Sequence, residues 1–358
     1  MRNLGIPLLA VLGPIMVLAA CRKDPAMSDN TVGSGPTPLT LDIPWWAEDE
    51  FYPLNLPADN PLTVEGVALG RKLFYEKALS NDYSMSCASC HRQEHAFTDP
   101  RRFSIGTDGS VGRRNSMPVQ NLAWEHIFFW DARASSLEDQ ALRPVRDPAE
   151  MRNDWPTVED RLRSHPEYPA LFAKAFGTPG IDSMRVVKAI AQFERTLVSF
   201  NSAYDRFAFL GDSSALTEPQ RRGMDLFFGE GHCADCHMPP RFNDQNIQNV
   251  GLPGDDDLGL MGITGNEADR GRFKNVGIRN IAVTAPYMHD GRFATLAEVV
   301  DFYARDVVLS TPNLDGHMLP WLMHQVDLDH AERADLVAFL HALTDPVFLS
   351  DPAFSDPN

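Results

Sequence analysis

The stretch "SMSCASCHRQEH", Ser84 to His95, places two cysteines, Cys87 and Cys90, three apart, with His91 directly after the second. A later stretch, "GHCADCHMPP" from Gly231 to Pro240, repeats the unit with Cys233, Cys236 and His237. A C-x-x-C pair alone is compatible with a disulfide, a thiol redox pair or half of a four-cysteine zinc site. The histidine after each pair selects a different chemistry, because C-x-x-C-H is the attachment signature of c-type haem. The two thiols add to the haem vinyl groups, and the histidine ligates iron from the proximal side. The fifth cysteine, Cys21, stands apart from both units, so two covalently bound haem c groups account for the other four.

The 358 residues exceed one average domain, and a hydrophobic content of 43% is ample for buried cores. A formal net charge of −17 argues against nucleic acid as a partner, since phosphate contacts need clustered Lys and Arg. The opening "MRNLGIPLLAVLGPIMVLAA" has a positive residue, an apolar run and a small-residue end, the pattern of a secretory signal over residues 1–20. The run continues "LAAC", which resembles a bacterial lipoprotein processing site and makes Cys21 the expected lipidated residue. Residues 21–44 then read as a flexible tether. The expected location is periplasmic, with membrane contact only through the N-terminal lipid.

The repeat extends beyond the haem units. "GRKLFYEKALSNDYSMSCASCH" and "GMDLFFGEGHCADCH" share Gly, two residues, Leu-Phe, a loop and the haem motif. Helical periodicity precedes each, in "PLTVEGVALGRKLF" and "TEPQRRGMDLFF", and an amphipathic helix closes each half, in "MRVVKAIAQFERTLVSF" and "HAERADLVAFLHALT". The 27 prolines and 24 glycines are spread through long connections, and strand signals are weak. The expected fold is mainly α, with two c-type cytochrome-like haem domains in tandem joined by long irregular connections. The domains span 45–211 and 212–346, and 347–358 form a tail.

From about Pro61 to Asp345 the chain resembles the bacterial dihaem cytochrome c peroxidases and their MauG-type relatives. The resemblance lies in "FFWDARASSLEDQALRPVRDPAEM", "AIAQFERTL" and "GIRNIAVTAPYMHDGRFATLAEVVDFY". It implies a peroxide-reducing enzyme in which Trp130, of "FWDAR", carries electrons between the haems. Ten, fourteen and twenty residues beyond it, the family's residues on the open face of the first haem fall on Gln140, Pro144 and Glu150. Cleavage of the O–O bond requires a proton to move from the inner to the outer oxygen, which a desolvated carboxylate with a raised pKa can perform. Glu150 is the expected acid–base, with Gln140 orienting peroxide and Pro144 keeping the pocket small and free of ligands.

The resemblance also has departures. Family members that need reductive activation carry a displaceable histidine after the first haem motif; Thr107 stands at that offset here. His95 lies close to the proximal ligand in sequence and His126 reads as a packing or surface residue, so the first iron is expected to be open. At the second haem the conventional methionine ligand is replaced by Tyr303, as in MauG-type enzymes, and Met288 and Met318 are the alternatives. A phenolate favours ferric and higher states where a thioether favours reduced iron. Asn115, Thr284 and Pro286 match the family's interdomain calcium site, built from oxygen donors that suit a hard cation. His289 matches the family's "HDG" without an assigned role. The electron donor is expected to be a small electron-transfer protein, a cytochrome c or cupredoxin, or a residue of a partner protein substrate. The alternative is a dihaem electron-transfer lipoprotein without catalysis.

Overall fold

The computed structural model describes residues 35–48, 53–254, 256–319 and 327–357. The signal segment, Cys21 and most of the tether lie outside them. The fold is mainly α. Its helices are α1 (Val64–Phe74), α2 (Leu137–Arg146), α3 (Trp155–Ser164), α4 (Tyr168–Phe176), α5 (Ser183–Thr196), α6 (Ala203–Phe209), α7 (Glu218–Phe228), α8 (Met261–Thr264), α9 (Leu296–Asp301) and α10 (His330–His341). The strand content among the described residues is one antiparallel pair, β1 (Ile247–Gln248) with β2 (Phe273–Lys274).

Each haem motif is preceded by a helix that crosses the closing helix of its own half. Thr63 caps α1 through its hydroxyl and the Gly66 N–H, and Asp182 caps α5 through the Arg185 N–H. Thr217 with Gln220 forms a capping box on α7, and Asp329 with Glu332 does so on α10. The repeated glycine makes these crossings close. A Cβ on Gly70 would lie 1.8 Å from the Ala189 carbonyl oxygen of α5, and one on Gly223 would lie 1.9 Å from the Asp335 carbonyl oxygen of α10. The Leu-Phe that follows each glycine turns its phenylalanine inward: Phe74 joins a core with Phe97, Phe172 and Phe193, and Phe227 joins a second core with Phe242, Leu336 and Phe339. Burying one such side chain stabilises the fold by about 1.5–3 kcal/mol.

Buried polar groups join the two cores. Arg279 forms a two-pronged ion pair with Asp205, both contacts 2.8 Å. Asn280 donates to Gln120 Oε1 at 2.5 Å and to Ser199 Oγ at 2.9 Å. Past α10 the chain returns to the first core, where Phe348 is buried beside Leu349 and Phe354. The stretch read as a tail from its sequence is therefore anchored to the first core at Phe348, Leu349 and Phe354.

Alanine normally favours a helix over glycine by about 1 kcal/mol. Here Gly70→Ala and Gly223→Ala are expected to destabilise by about 1–3 kcal/mol, the usual cost of overpacking. Thermal unfolding followed by circular dichroism should show a lower Tm for both; a raised Tm would contradict the close crossings.

Candidate active site

Each haem motif forms a short 3₁₀ turn, Cys87–Ser89 in the first and Cys233–Asp235 in the second. The turn brings the histidine N–H back to the first cysteine's carbonyl, at 3.0 Å for His91 and 2.9 Å for His237. None of Cys87, Cys90, Cys233 and Cys236 is paired in a disulfide. Burial pushes the Cys233 thiol up to about 12 and the Cys236 thiol to about 11, and it raises both Cys87 and Cys90. His91 Nδ1 donates to the Phe97 carbonyl at 2.8 Å, and His237 Nδ1 donates to the Phe242 carbonyl at 3.2 Å. Burial lowers both imidazole pKa values, which keeps the rings neutral and leaves Nε2 as the nitrogen that could ligate a metal. Each motif sets its oriented, neutral imidazole and one of its two thiols in the wall of a cavity, Cys90 with His91 at the first and Cys233 with His237 at the second, which fits covalently attached haem.

The first cavity measures about 920 Å³ and is lined by Cys90, His91, Trp130, Gln140, Pro144 and Glu150 among others. Ser136 caps α2, and Gln140 and Pro144, one turn apart, share its inner face. Beyond the helix the Asp147 carbonyl accepts the Glu150 N–H at 3.0 Å, folding the glutamate back to the same opening. Burial, reinforced by Asp147 and opposed by Arg133, raises Glu150 to about 7. The loop with Thr107 is fastened to this segment. The Thr107 N–H donates to the Glu150 carbonyl at 3.0 Å, and Arg152 pairs with Asp108 at 2.7 Å. A Cβ at Gly106 would lie 2.3 Å from the Ala149 carbonyl oxygen. Among the described residues His91 is the one histidine lining this cavity. His126 is exposed, and His95 Nδ1 donates to the Val283 carbonyl at 3.1 Å.

The second cavity, about 200 Å³, is lined by Cys233, His237, Met288, Tyr303, Asn115 and Trp130 among others, and Thr284 and Pro286 also reach it. Met318 does not line it. Tyr303 lies on a π turn, Phe302–Asp306, a distortion frequent at functional positions. Its side chain is 36% exposed, towards the cavity. Burial raises its pKa, as do the neighbouring Cys236 and Cys233.

Trp130 lines both cavities. Its Nε1–H donates to the Asn115 carbonyl at 2.8 Å, and the Asn115 N–H donates to the His289 carbonyl at 2.7 Å. His289 is buried, stacks on Phe273 with ring centroids 3.7 Å apart, and meets Trp130 edge-on at 6.3 Å.

One lining residue of the first cavity was not singled out from the sequence. Glu194 is 5% exposed, and its Oε2 has no hydrogen-bond partner. Burial raises it to about 8, with Arg195 opposing and Glu138 reinforcing. The available signal was an acid in line with Val187, Ile190 and Ala191 on the apolar face of α5.

Two cavities, each holding a C-x-x-C-H motif and sharing a tryptophan, one of them lined by a carboxyl raised to about 7, define a two-haem redox protein with unlike sites. The family model described as di-haem cytochrome c peroxidase matches residues 64–214. The methylamine utilization protein MauG of Methylorubrum extorquens is 40% identical over 290 residues, 80% of each chain. Cytochrome c551 peroxidase of Nitrosomonas europaea is 37% identical over 264 residues, 72% of this chain and 78% of that protein. The crystal structure of a MauG-like protein associated with microbial copper homeostasis matches with a TM-score of 0.79 at 37% identity, covering 89% of this chain and 99% of that one. The chain belongs to the di-haem cytochrome c peroxidase and MauG family, and is a peroxide-dependent oxidoreductase with two haem c groups.

Glu194 has a folded-state pKa above its unfolded value, so its protonated form stabilises at low pH and that contribution is lost as pH rises through about 8. Glu194→Gln removes the loss. The Tm of the variant relative to the parent should therefore rise between pH 5 and pH 9, and a difference independent of pH would overturn this account.

Proposed function

We propose that the protein reduces hydrogen peroxide at its first haem, bound through Cys87, Cys90 and His91, with electrons passing through Trp130 from a second haem held by Cys233, Cys236, His237 and Tyr303. The supporting observation is the convergence of Gln140, Pro144 and Glu150 on the cavity that contains His91. The bound haem supplies the redox chemistry of O–O cleavage; the protein supplies position and protons. Gln140 holds peroxide by its amide. Ionised Glu150 takes the proton from the oxygen nearer the metal and returns it to the departing oxygen, which leaves as water. Pro144 offers no ligating atom, and Thr107 stands on a fastened loop where a displaceable histidine would otherwise be, so no prior reduction is needed.

Tyr303 and Met288 both face the second cavity; the phenol is the harder donor and favours ferric iron. This favours oxidation of a demanding donor, such as a residue of a partner protein, over routine turnover of a small cytochrome c or cupredoxin. Asn115, Thr284 and Pro286, together at the second cavity, are assigned to a structural calcium ion through oxygen donors. Lipidation at Cys21 and a periplasmic setting complete the proposal. No helix among the described residues is long and apolar enough to cross a membrane.

Low-temperature electron paramagnetic resonance of the fully loaded ferric protein should show one high-spin and one low-spin haem. Two low-spin signals would favour the electron-carrier alternative or a ligand that must be displaced. The rate of reaction with peroxide should rise through a midpoint near pH 7 as Glu150 ionises. Glu150→Gln should lower it by roughly 10²–10⁴-fold and abolish that midpoint; an unchanged rate would remove Glu150 from the mechanism. Tyr303→Met should raise the reduction potential of the second haem, read by redox titration.

A further inference from the structure

The chain beyond α10 touches neither cavity, yet it grips the loop that orients the proximal ligand of the first. It is launched from a buried knot at Asp345, which is 2% exposed. Asp345 Oδ2 accepts from Ser199 Oγ at 3.1 Å and the Asn201 N–H at 2.9 Å, and Oδ1 accepts from the Val347 and Phe348 N–H groups, both at 3.1 Å. Phe348, 2% exposed, then lies 5.7 Å from the Phe97 ring in an edge contact. Gln93 Nε2 donates to the Phe348 carbonyl at 3.2 Å and the Asp351 carbonyl at 2.9 Å. Further along, Arg71 and Tyr75 hold the Ser355 and Phe354 carbonyls at 2.7 and 2.8 Å.

The loop so gripped is under backbone strain. Ala96 and Phe97 are consecutive non-glycine residues with positive φ, 52° and 60°. Such conformations persist where the surroundings over-determine them. This one aims the Phe97 carbonyl at His91 Nδ1, 2.8 Å away.

The second haem motif shows the same device with the roles of the halves exchanged. Phe242 has φ 58° and its carbonyl accepts from His237 Nδ1. Its ring packs at 5.1 Å against Tyr204, which follows α5, the closing helix of the first half. The segment after each closing helix thus hands an aromatic ring across the junction to the phenylalanine that orients the other half's proximal histidine.

We propose that Phe348 is a positioning residue for the proximal ligand: the segment Asp345–Phe354 straps Phe97 in its left-handed conformation and so sets the hydrogen bond that directs His91. The stronger that bond, the more imidazolate character the ring acquires and the more electron density it gives the iron. The inference rests on the proposed function only where a peroxide rate is read.

The test is resonance Raman spectroscopy of the ferrous, fully haem-loaded protein, reading the iron–histidine stretch, with stopped-flow mixing against peroxide alongside. Phe348→Ala should shift that stretch to lower frequency and slow the peroxide reaction on the order of tenfold, as loss of ligand support commonly does. Phe348→Leu, which keeps an apolar side chain there, should recover most of both. Gln93→Met, which leaves the ring in place, should give a smaller shift in the same direction, and it decides the matter if Phe348→Ala does not fold. A lowered Tm with an unshifted stretch in these variants would make the strap a structural anchor only and overturn the proposal. A parent protein inert to peroxide whose stretch still moves in Phe348→Ala would instead fail the proposed function and leave the strap standing.

Discussion

The peptide of Asn115 fixes how the two cavities stand to one another. Its N–H is committed to the His289 carbonyl and its carbonyl to the Trp130 indole, at 2.7 and 2.8 Å. Buried main-chain groups must find partners, so neither bond can be given up cheaply. The indole is thereby held in the wall common to both cavities. The charges around it are balanced. Burial works against ionisation of Asp131, but Arg114 and Arg133 hold its carboxyl below the usual range, and Arg114 also pairs with Asp257 at 2.8 Å.

The proton-handling side follows from how acids are partnered. Glu138 is buried, yet Arg195 and Asn60 bring its pKa below the ordinary value. Burial raises Glu150, Asp147 adds to the rise and Arg133 alone opposes it. Carboxyls of one chemical type are thus driven apart, Glu138 held as a charge and Glu150 raised to about 7.

Local spacing made much of this legible in the sequence. The C-x-x-C-H units, the Gly-x-x-Leu-Phe repeat and the turn-to-turn placement of Gln140 and Pro144 are short-range patterns, and the structure brings Gln140, Pro144, Glu150 and Trp130 to one cavity. The meaning of the repeated glycine was not legible, because it depends on a carbonyl of another helix. Glu194 sat inside a recognised motif, but its burial beside the first cavity is a property of how α5 packs. His289 matched a motif without a role until Phe273 and Trp130 were found around it. The grip of Gln93 on Phe348 spans 255 residues of chain and leaves no periodic trace in one sequence.

The π turn at Phe302–Asp306 has a consequence for how such sites diverge. In a regular α-helix adjacent side chains are splayed by roughly 100°, yet Tyr303 and Ala304 both line the second cavity while Phe302 is turned into the protein. The widened turn changes the angular phase of the helix at this point. Deleting one residue would restore the regular phase and swing a different side chain towards the second cavity without any substitution at position 303. Which side chain faces the second cavity here is therefore set by helix register as much as by residue type, and one-residue insertions and deletions are a route by which a lineage can exchange it.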